Sequence, residues 1–140
     1  MDDLIRFRAF VNGRWTDALS RKYFPVLNPA NGTVIASVPD MDREDARLAV
    51  EAADAAWPAY RDLTAGQRAA MLRRWFDLIL EHREQLARLM TMESGKVITE
   101  SRGEVTYGAS FIEWFAEEAK RTYGDVIPAH TAGRRLVVIR

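Results

Sequence analysis

From Asp42 to Gly124 the apolar residues recur at helical spacing, while the forty or so residues before them alternate short β-branched runs with turn formers. A chain of 140 residues that devotes this much of itself to helices has room for one domain and little more. Asp42 is placed to cap the first helix, along which Ala46, Val50, Ala53 and Trp57 fall on one stripe. Pro58 disfavours helical backbone at the residue before it, which predicts a stop near Trp57. Thr64 and Gln67 form a capping box that opens the next helix, with Met71, Leu72, Trp75, Ile79, Leu86, Leu89 and Met90 as its apolar stripe. A helix of roughly thirty residues is long for a globular protein, so a break is expected near Glu81-His82-Arg83. Gly95 supplies a left-handed cap at its far end.

The last helix is predicted from Val97 to Thr122, with Ile98, Val105, Gly108, Ile112, Phe115 and Ala119 on its buried side. Glu117 stands four residues before Arg121, the spacing of a surface ion pair. Gly124 closes the helix and Pro128 keeps it from resuming. At about 1.5 Å per residue it would be roughly 40 Å long, wider than a domain of this mass. Tyr107, Phe111 and Trp114 share a second apolar stripe, so the helix is either sandwiched between layers or borders a channel.

Strands are expected over residues 7–38. Phe10-Val11 and Arg14-Trp15 flank Asn12-Gly13, which suits a type I′ hairpin turn. Pro25-Val26-Leu27 leads into the turn-rich Asn28-Pro29-Ala30-Asn31-Gly32, and Thr33 to Val38 reads as the following strand. Asn31-Gly32-Thr33 also fits a glycosylation acceptor, but Asn-Gly is explained by the turn. At the other end, Arg134 to Arg140 is a strand pattern without a following turn or polar tail. Such an edge needs a neighbour. Either it pairs with another chain or the sequence is a piece of a longer protein.

Composition narrows the chemistry. The absence of cysteine excludes a thiolate zinc site, a disulfide scaffold and a cysteine nucleophile within these residues. His82 and His130 are the sole imidazoles, and His82 reads as a satisfied residue at a helix junction. Twenty basic residues balance twenty acidic ones, which favours neither nucleic acid nor a membrane surface as partner. No apolar run approaches the ~20 residues that span a bilayer. Met1-Asp2-Asp3 followed by Arg6 and Arg8 lacks the pattern of a signal peptide, so a cytoplasmic protein is expected. Ser94-Gly95-Lys96 falls short of a P-loop, because Met90 stands where a glycine is needed and Val97 follows the lysine. No G-x-G-x-x-G occurs. Glu100 and Glu104, with Lys96 and Arg102 nearby, read as a solvated face. The residues alone thus give a helix-rich piece without visible chemistry.

Phe10-Val11-Asn12-Gly13-Arg14-Trp15, Asn28-Pro29-Ala30-Asn31-Gly32 and Glu93-Ser94-Gly95-Lys96, in that order and spacing, resemble the start of an aldehyde dehydrogenase. The stretch from Ala109 to Pro128 (ASFIEWFAEEAKRTYGDVIP) closely resembles the NAD(P)-dependent succinate-semialdehyde dehydrogenase branch. The resemblance implies an α/β parent with a Rossmann-like cofactor domain, a catalytic domain and a small oligomerisation sheet. This segment would contribute an N-terminal β-hairpin and strands, three to four helices and a C-terminal strand. Residues 1–128, with strands over 7–38 and helices over 42–122, would be the first part of the cofactor-binding domain. Residues 129–140 would begin the oligomerisation strand, and the catalytic domain would lie outside the chain.

In the chemistry so implied, a cysteine thiolate adds to the aldehyde, hydride passes to NAD or NADP, and a glutamate-activated water hydrolyses the thioester. An asparagine side chain and a backbone N–H steady the oxyanion. The residues that do this follow Arg140 in the family, so the segment alone is expected to be inactive, with no catalytic or cofactor-binding residue of its own. Two features carry over to positions present here. Tyr107 and Phe111 would border the substrate tunnel. The carbonyl of Val26 and the carboxylate of Glu93 would hold a monovalent cation, a pairing suited to a hard ion, unless Glu93 simply pairs with Lys96. The resemblance further implies a small aldehyde as substrate, succinate semialdehyde first, and a homo-oligomer, dimer or tetramer. Two alternatives stay open: a stand-alone, non-catalytic interaction module pairing through its C-terminal strand, and a glutarate-semialdehyde or betaine-type dehydrogenase.

Overall fold

A computed structural model describes residues 4–139, so the readings of Met1-Asp2-Asp3 and of Arg140 lie outside the described residues. Ala9–Val11 (β1) and Arg14–Thr16 (β2) form an antiparallel hairpin with Phe10 opposite Trp15. Asn12 and Gly13 have φ of 49° and 73°, the left-handed pair that a type I′ turn requires. Tyr23–Leu27 (β3) and Val34–Pro39 (β4) make a second antiparallel hairpin, with a register shift at Val26/Leu27. Its loop is closed by Asn28 N donating to Thr33 O and Gly32 N donating to Asn28 O, both at 2.8 Å.

Arg43–Arg61 (α1) starts at a reciprocal capping box in which Asp42 accepts from the Asp45 N–H and Asp45 accepts from the Asp42 N–H. Asp45 is buried, and its other oxygen accepts from Leu19 N at 3.0 Å. One carboxylate therefore fixes both the helix start and the loop before β3. The helix continues through Pro58, past the stop expected at Trp57. Pro58 removes only the bond to the Asp54 carbonyl, and Asp54 is exposed, so water can take the orphaned acceptor. The expected stripe is not buried either. Ala46, Val50, Ala53 and Trp57 are all exposed, while Asp45, Ala49 and Ala52 face inward.

Ala65–Glu81 (α2) opens on the predicted Thr64/Gln67 box, and Arg83–Ser94 (α3) follows after a break at His82. Gly95 caps α3 at φ 72°. Ile98–Glu118 (α4) ends in a 3₁₀ turn over Ala119–Arg121. The three helices pack around a seam of small residues: Ala69, Ala87, Ser101, Val105, Ala109 and Ala116 are buried. Leu72, Ile79, Leu86, Leu89, Met90 and Ile112 are half-buried around it. Two residues expected on the buried side of α4, Gly108 and Phe115, are exposed. The burial of α4 follows its small side chains, which allow close helix approach, rather than its largest apolar ones.

Asp125–Pro128 (β5) pairs antiparallel with Arg135–Val138 (β6), placing Val126 opposite Val137. The terminal strand therefore has a partner within the chain, in residues 125–128, for which the sequence pattern predicts only that the helix does not resume. Arg121 pairs with Glu118 rather than Glu117, and Glu117 lies 3.8 Å from Lys120. An i,i+3 geometry wins here because the last turn tightens into 3₁₀. Among the described residues no helix is long and apolar enough to cross a membrane.

Candidate functional site

The second apolar stripe of α4 stands clear of the helix bundle. Tyr107 is 66% exposed, Phe111 48% and Trp114 65%. Tyr107 and Phe111, four residues apart, meet edge to face with ring centroids 4.9 Å apart and planes at 85°. Phe111, Trp114 and Phe115 then line an open concavity of about 810 Å³ with Ser110, Glu113 and Arg121. Arg73 of α2 donates to Glu113 at 2.9 Å and lies over the Phe76 ring, which pins α4 to α2 beside the aromatic stripe. The stripe is thus backed by α2 while its own face is open. Such a surface can line an apolar passage or receive another layer of protein. Of its polar side chains, Glu113 is engaged by Arg73 and Glu118 by Arg121.

The second candidate is Val26 with Glu93, on two elements whose following loops approach each other. Val26 lies on β3, Glu93 in the last turn of α3, and a Cβ built on Gly95 would be 3.0 Å from Pro29 Cγ in the β3–β4 loop. Lys96 pairs with Glu104 instead of Glu93. Glu93 is exposed beside Leu89 and Met90 and has no ion-pair partner among the described residues. Among the described residues no group of three or more His, Asp or Glu side chains is arranged to hold a metal.

Ser94-Gly95-Lys96 is a helix C-terminus: Ser94 donates to the Met90 carbonyl at 2.7 Å and Gly95 N to Thr91 O at 3.0 Å. It therefore presents carbonyls rather than N–H groups, the wrong polarity for phosphate. His82 Nδ1 is 2.7 Å from Gln85 Oε1, satisfied at the helix junction as its position suggested. What the sequence did not reveal is the role of Glu84. It accepts from Arg102 Nε and Nη2, both at 2.8 Å, and from Arg88 Nε at 3.1 Å, which joins α3 to α4. These hydrogen bonds, Arg102's first, lower its pKa to about 2. The Arg88 pairing is local and readable at i,i+4, but the Arg102 pairing is set by helix packing.

Comparison with known proteins identifies the family and the fold. The sequence model of the Aldehyde dehydrogenase family matches residues 15–140. The NADP(+) succinate-semialdehyde dehydrogenase of Escherichia coli is 54% identical over 138 residues, which is 99% of this chain and 29% of that protein. A glutarate-semialdehyde dehydrogenase of Pseudomonas putida is 56% identical, over 98% of this chain and 28% of its own length. The crystal structure of an E. coli NADP-dependent enzyme superposes with a TM-score of 0.93 at 53% identity, covering 99% of this chain and 29% of that one. The chain thus spans under a third of the length of these relatives and adopts the corresponding part of their α/β fold. It belongs to the aldehyde dehydrogenase family.

Proposed function

We propose that this chain is the N-terminal segment of an NAD(P)-dependent aldehyde dehydrogenase that oxidises a short aldehyde bearing a remote carboxylate, succinate semialdehyde first and glutarate semialdehyde next. The observation that carries this is identity above one half, over nearly the whole chain, to one enzyme named for each substrate. The two differ by a single methylene and share a terminal carboxylate. In this reading the segment supplies scaffold and one tunnel wall, and the reacting groups come from the remainder of the enzyme.

Within it, residues 1–128 belong to the cofactor-binding domain and 129–140 open the oligomerisation strand of a cytoplasmic homodimer or homotetramer. Tyr107 and Phe111 border the substrate passage, supported by their exposure and mutual edge-to-face packing. The Val26 carbonyl and Glu93 carboxylate hold a monovalent cation, supported by the absence of an ion-pair partner for Glu93 among the described residues.

The test is a substrate panel on the protein as its gene encodes it. Succinate semialdehyde, glutarate semialdehyde and butanal are each offered with NAD and with NADP, following reduced nicotinamide. A kcat/KM for the two acidic aldehydes at least about tenfold above butanal, the effect of ~1.4 kcal/mol of transition-state binding to the carboxylate, is the expected result. Equal or better use of butanal overturns the substrate class. No reduction of either cofactor with any aldehyde overturns the dehydrogenase reading.

A further inference from the structure

The chain has three asparagines, and they form an internal comparison: Asn12 and Asn31 precede glycine, while Asn28 precedes proline. An asparagine side chain loses its amide nitrogen as ammonia when the backbone nitrogen of the next residue attacks its Cγ. A following glycine leaves that nitrogen most accessible. Proline carries no N–H to give up, which removes Asn28 from consideration.

The two Asn-Gly pairs are held in opposite ways. In the β3–β4 loop the would-be nucleophile is engaged, because Gly32 N donates to Asn28 O at 2.8 Å. The Asn31 side chain is pinned as well, its Oδ1 accepting from Thr33 N at 3.0 Å and Thr33 Oγ1 at 2.8 Å. Attack there would first break these bonds. At the tip of the β1–β2 hairpin the Asn12 amide and the Gly13 N–H have no hydrogen-bond partner among the described residues. Both residues are exposed, and no atom lies within 4 Å of a Cβ built on Gly13. Asn12 also holds φ 49°, a left-handed conformation that a residue with a Cβ adopts at a cost.

We propose that Asn12 is a site of spontaneous deamidation, and that the β3–β4 loop protects Asn31 from the same reaction. The Gly13 nitrogen forms a bond to Asn12 Cγ, the Cγ–Nδ2 bond breaks, and ammonia leaves with the former Gly13 amide proton, giving a five-membered succinimide. Water then opens either carbonyl of the ring, leaving aspartate or isoaspartate at position 12. No oxidant or reductant is involved. The product places a carboxylate at a hairpin tip that faces Ala49, Ala52, Ala53 and Ala56 of α1. Isoaspartate also adds a methylene to the backbone of a turn whose two central residues set the strand register.

The test ages the protein, as its gene encodes it, in mildly alkaline buffer at growth temperature, followed by tryptic mapping. Cleavage at the basic residues isolates Ala9–Arg14, which carries Asn12 alone, from Tyr23–Arg43, which carries Asn28 and Asn31. The first peptide should gain the mass of an amide-to-acid conversion at least about tenfold faster than the second, the ratio expected from loss of the loop's extra hydrogen bonds. In denaturant the two rates should converge, since each Asn then precedes an unstructured glycine. Equal rates in the folded protein, a faster Tyr23–Arg43, or a gap that survives denaturation would each overturn the proposal. An Asn12→Ser variant should abolish the mass gain in the first peptide; persistence of the gain would show that the assigned residue is wrong.

Discussion

Ser101 Oγ meets Thr91 Oγ1 at 2.9 Å where α3 and α4 cross, and Ser101 is fully buried. The pair satisfies two hydroxyls in the seam that lets the helices approach through alanine-sized side chains. Ser101→Ala strands the Thr91 hydroxyl in a partly buried position and should lower stability by about 1 kcal/mol. Ser101→Leu adds volume where the packing has none to spare and should cost more, about 1–3 kcal/mol. Urea unfolding of the two variants checks the order, and a Leu variant as stable as wild type would mean that the seam is looser than described.

Gly124 joins α4 to the terminal hairpin at φ 82°, and a Cβ built there would fall 2.1 Å from the Val138 carbonyl oxygen. Both the left-handed backbone and the close approach exclude a side chain. Gly124→Ala is expected to displace β6 from β5, with faster amide exchange across Asp125–Pro128 and Arg135–Val138 as the readout. Gly133→Ala meets nothing within 4 Å despite φ 77°, so it should show the smaller, purely conformational effect.

These cases also show where sequence legibility ended. Caps and turns were readable because their chemistry is local: Asp42, Thr64 with Gln67, Asn12-Gly13 and Gly95 all stand where the pattern placed them. Orientation was less so. The Val50–Trp57 stripe of α1 and Phe115 of α4 have helical spacing, yet they face outward, because periodicity identifies an apolar face without saying what covers it. β5 is not legible in the sequence, since Asp125-Val126-Ile127-Pro128 is short and ends in proline, and only the pairing with β6 makes it a strand. The aromatic pair Tyr107/Phe111 was visible as a second stripe. Its assignment to a passage came from resemblance, and the exposure of both rings is compatible with it.

Glu84 carries a pH dependence whose sign follows from its partners. Hydrogen bonds from Arg102 and then Arg88 hold its pKa at about 2, below the ordinary 4.5. A carboxylate with a depressed folded-state pKa stabilises the fold fully above the unfolded value and loses that contribution as pH falls through the folded one. The contribution is therefore expected to be intact above pH 4.5 and to fade between 4.5 and about 2. The carboxyl carbon shift of Glu84, followed by NMR titration, should show the low midpoint. Arg102→Met should move it back toward 4.5, and added salt should weaken the effect because the group is exposed.

All four tryptophans, Trp15, Trp57, Trp75 and Trp114, are between 47% and 65% exposed. A surface that displays so many large rings is unusual for a free monomer. Residues 1–140 produced alone should therefore self-associate, which sedimentation would detect as species heavier than 15.9 kDa. Their tryptophan emission should lie further to the red than the same residues give in the longer enzyme we propose. A sharp two-state monomer would count against the view that these faces are built to be covered.

Tyr107 offers the most direct test of the tunnel reading, because its aromatic area and its hydroxyl can be separated. The ring packs edge to face on Phe111, while the phenol oxygen has no hydrogen-bond partner among the described residues. If the ring borders the substrate passage, Tyr107→Phe should leave KM for succinate semialdehyde within about twofold. Tyr107→Ala removes the apolar wall and the ring pair, together worth about 1.5–3 kcal/mol. That should raise KM about tenfold or more while leaving the KM for the nicotinamide cofactor unchanged. A merely structural role predicts something else: the alanine variant would lose thermal stability, and both Michaelis constants would stay at their wild-type values. Phe111→Ala should repeat the first pattern, and the double variant should cost less than the sum of the singles because the two rings share one contact.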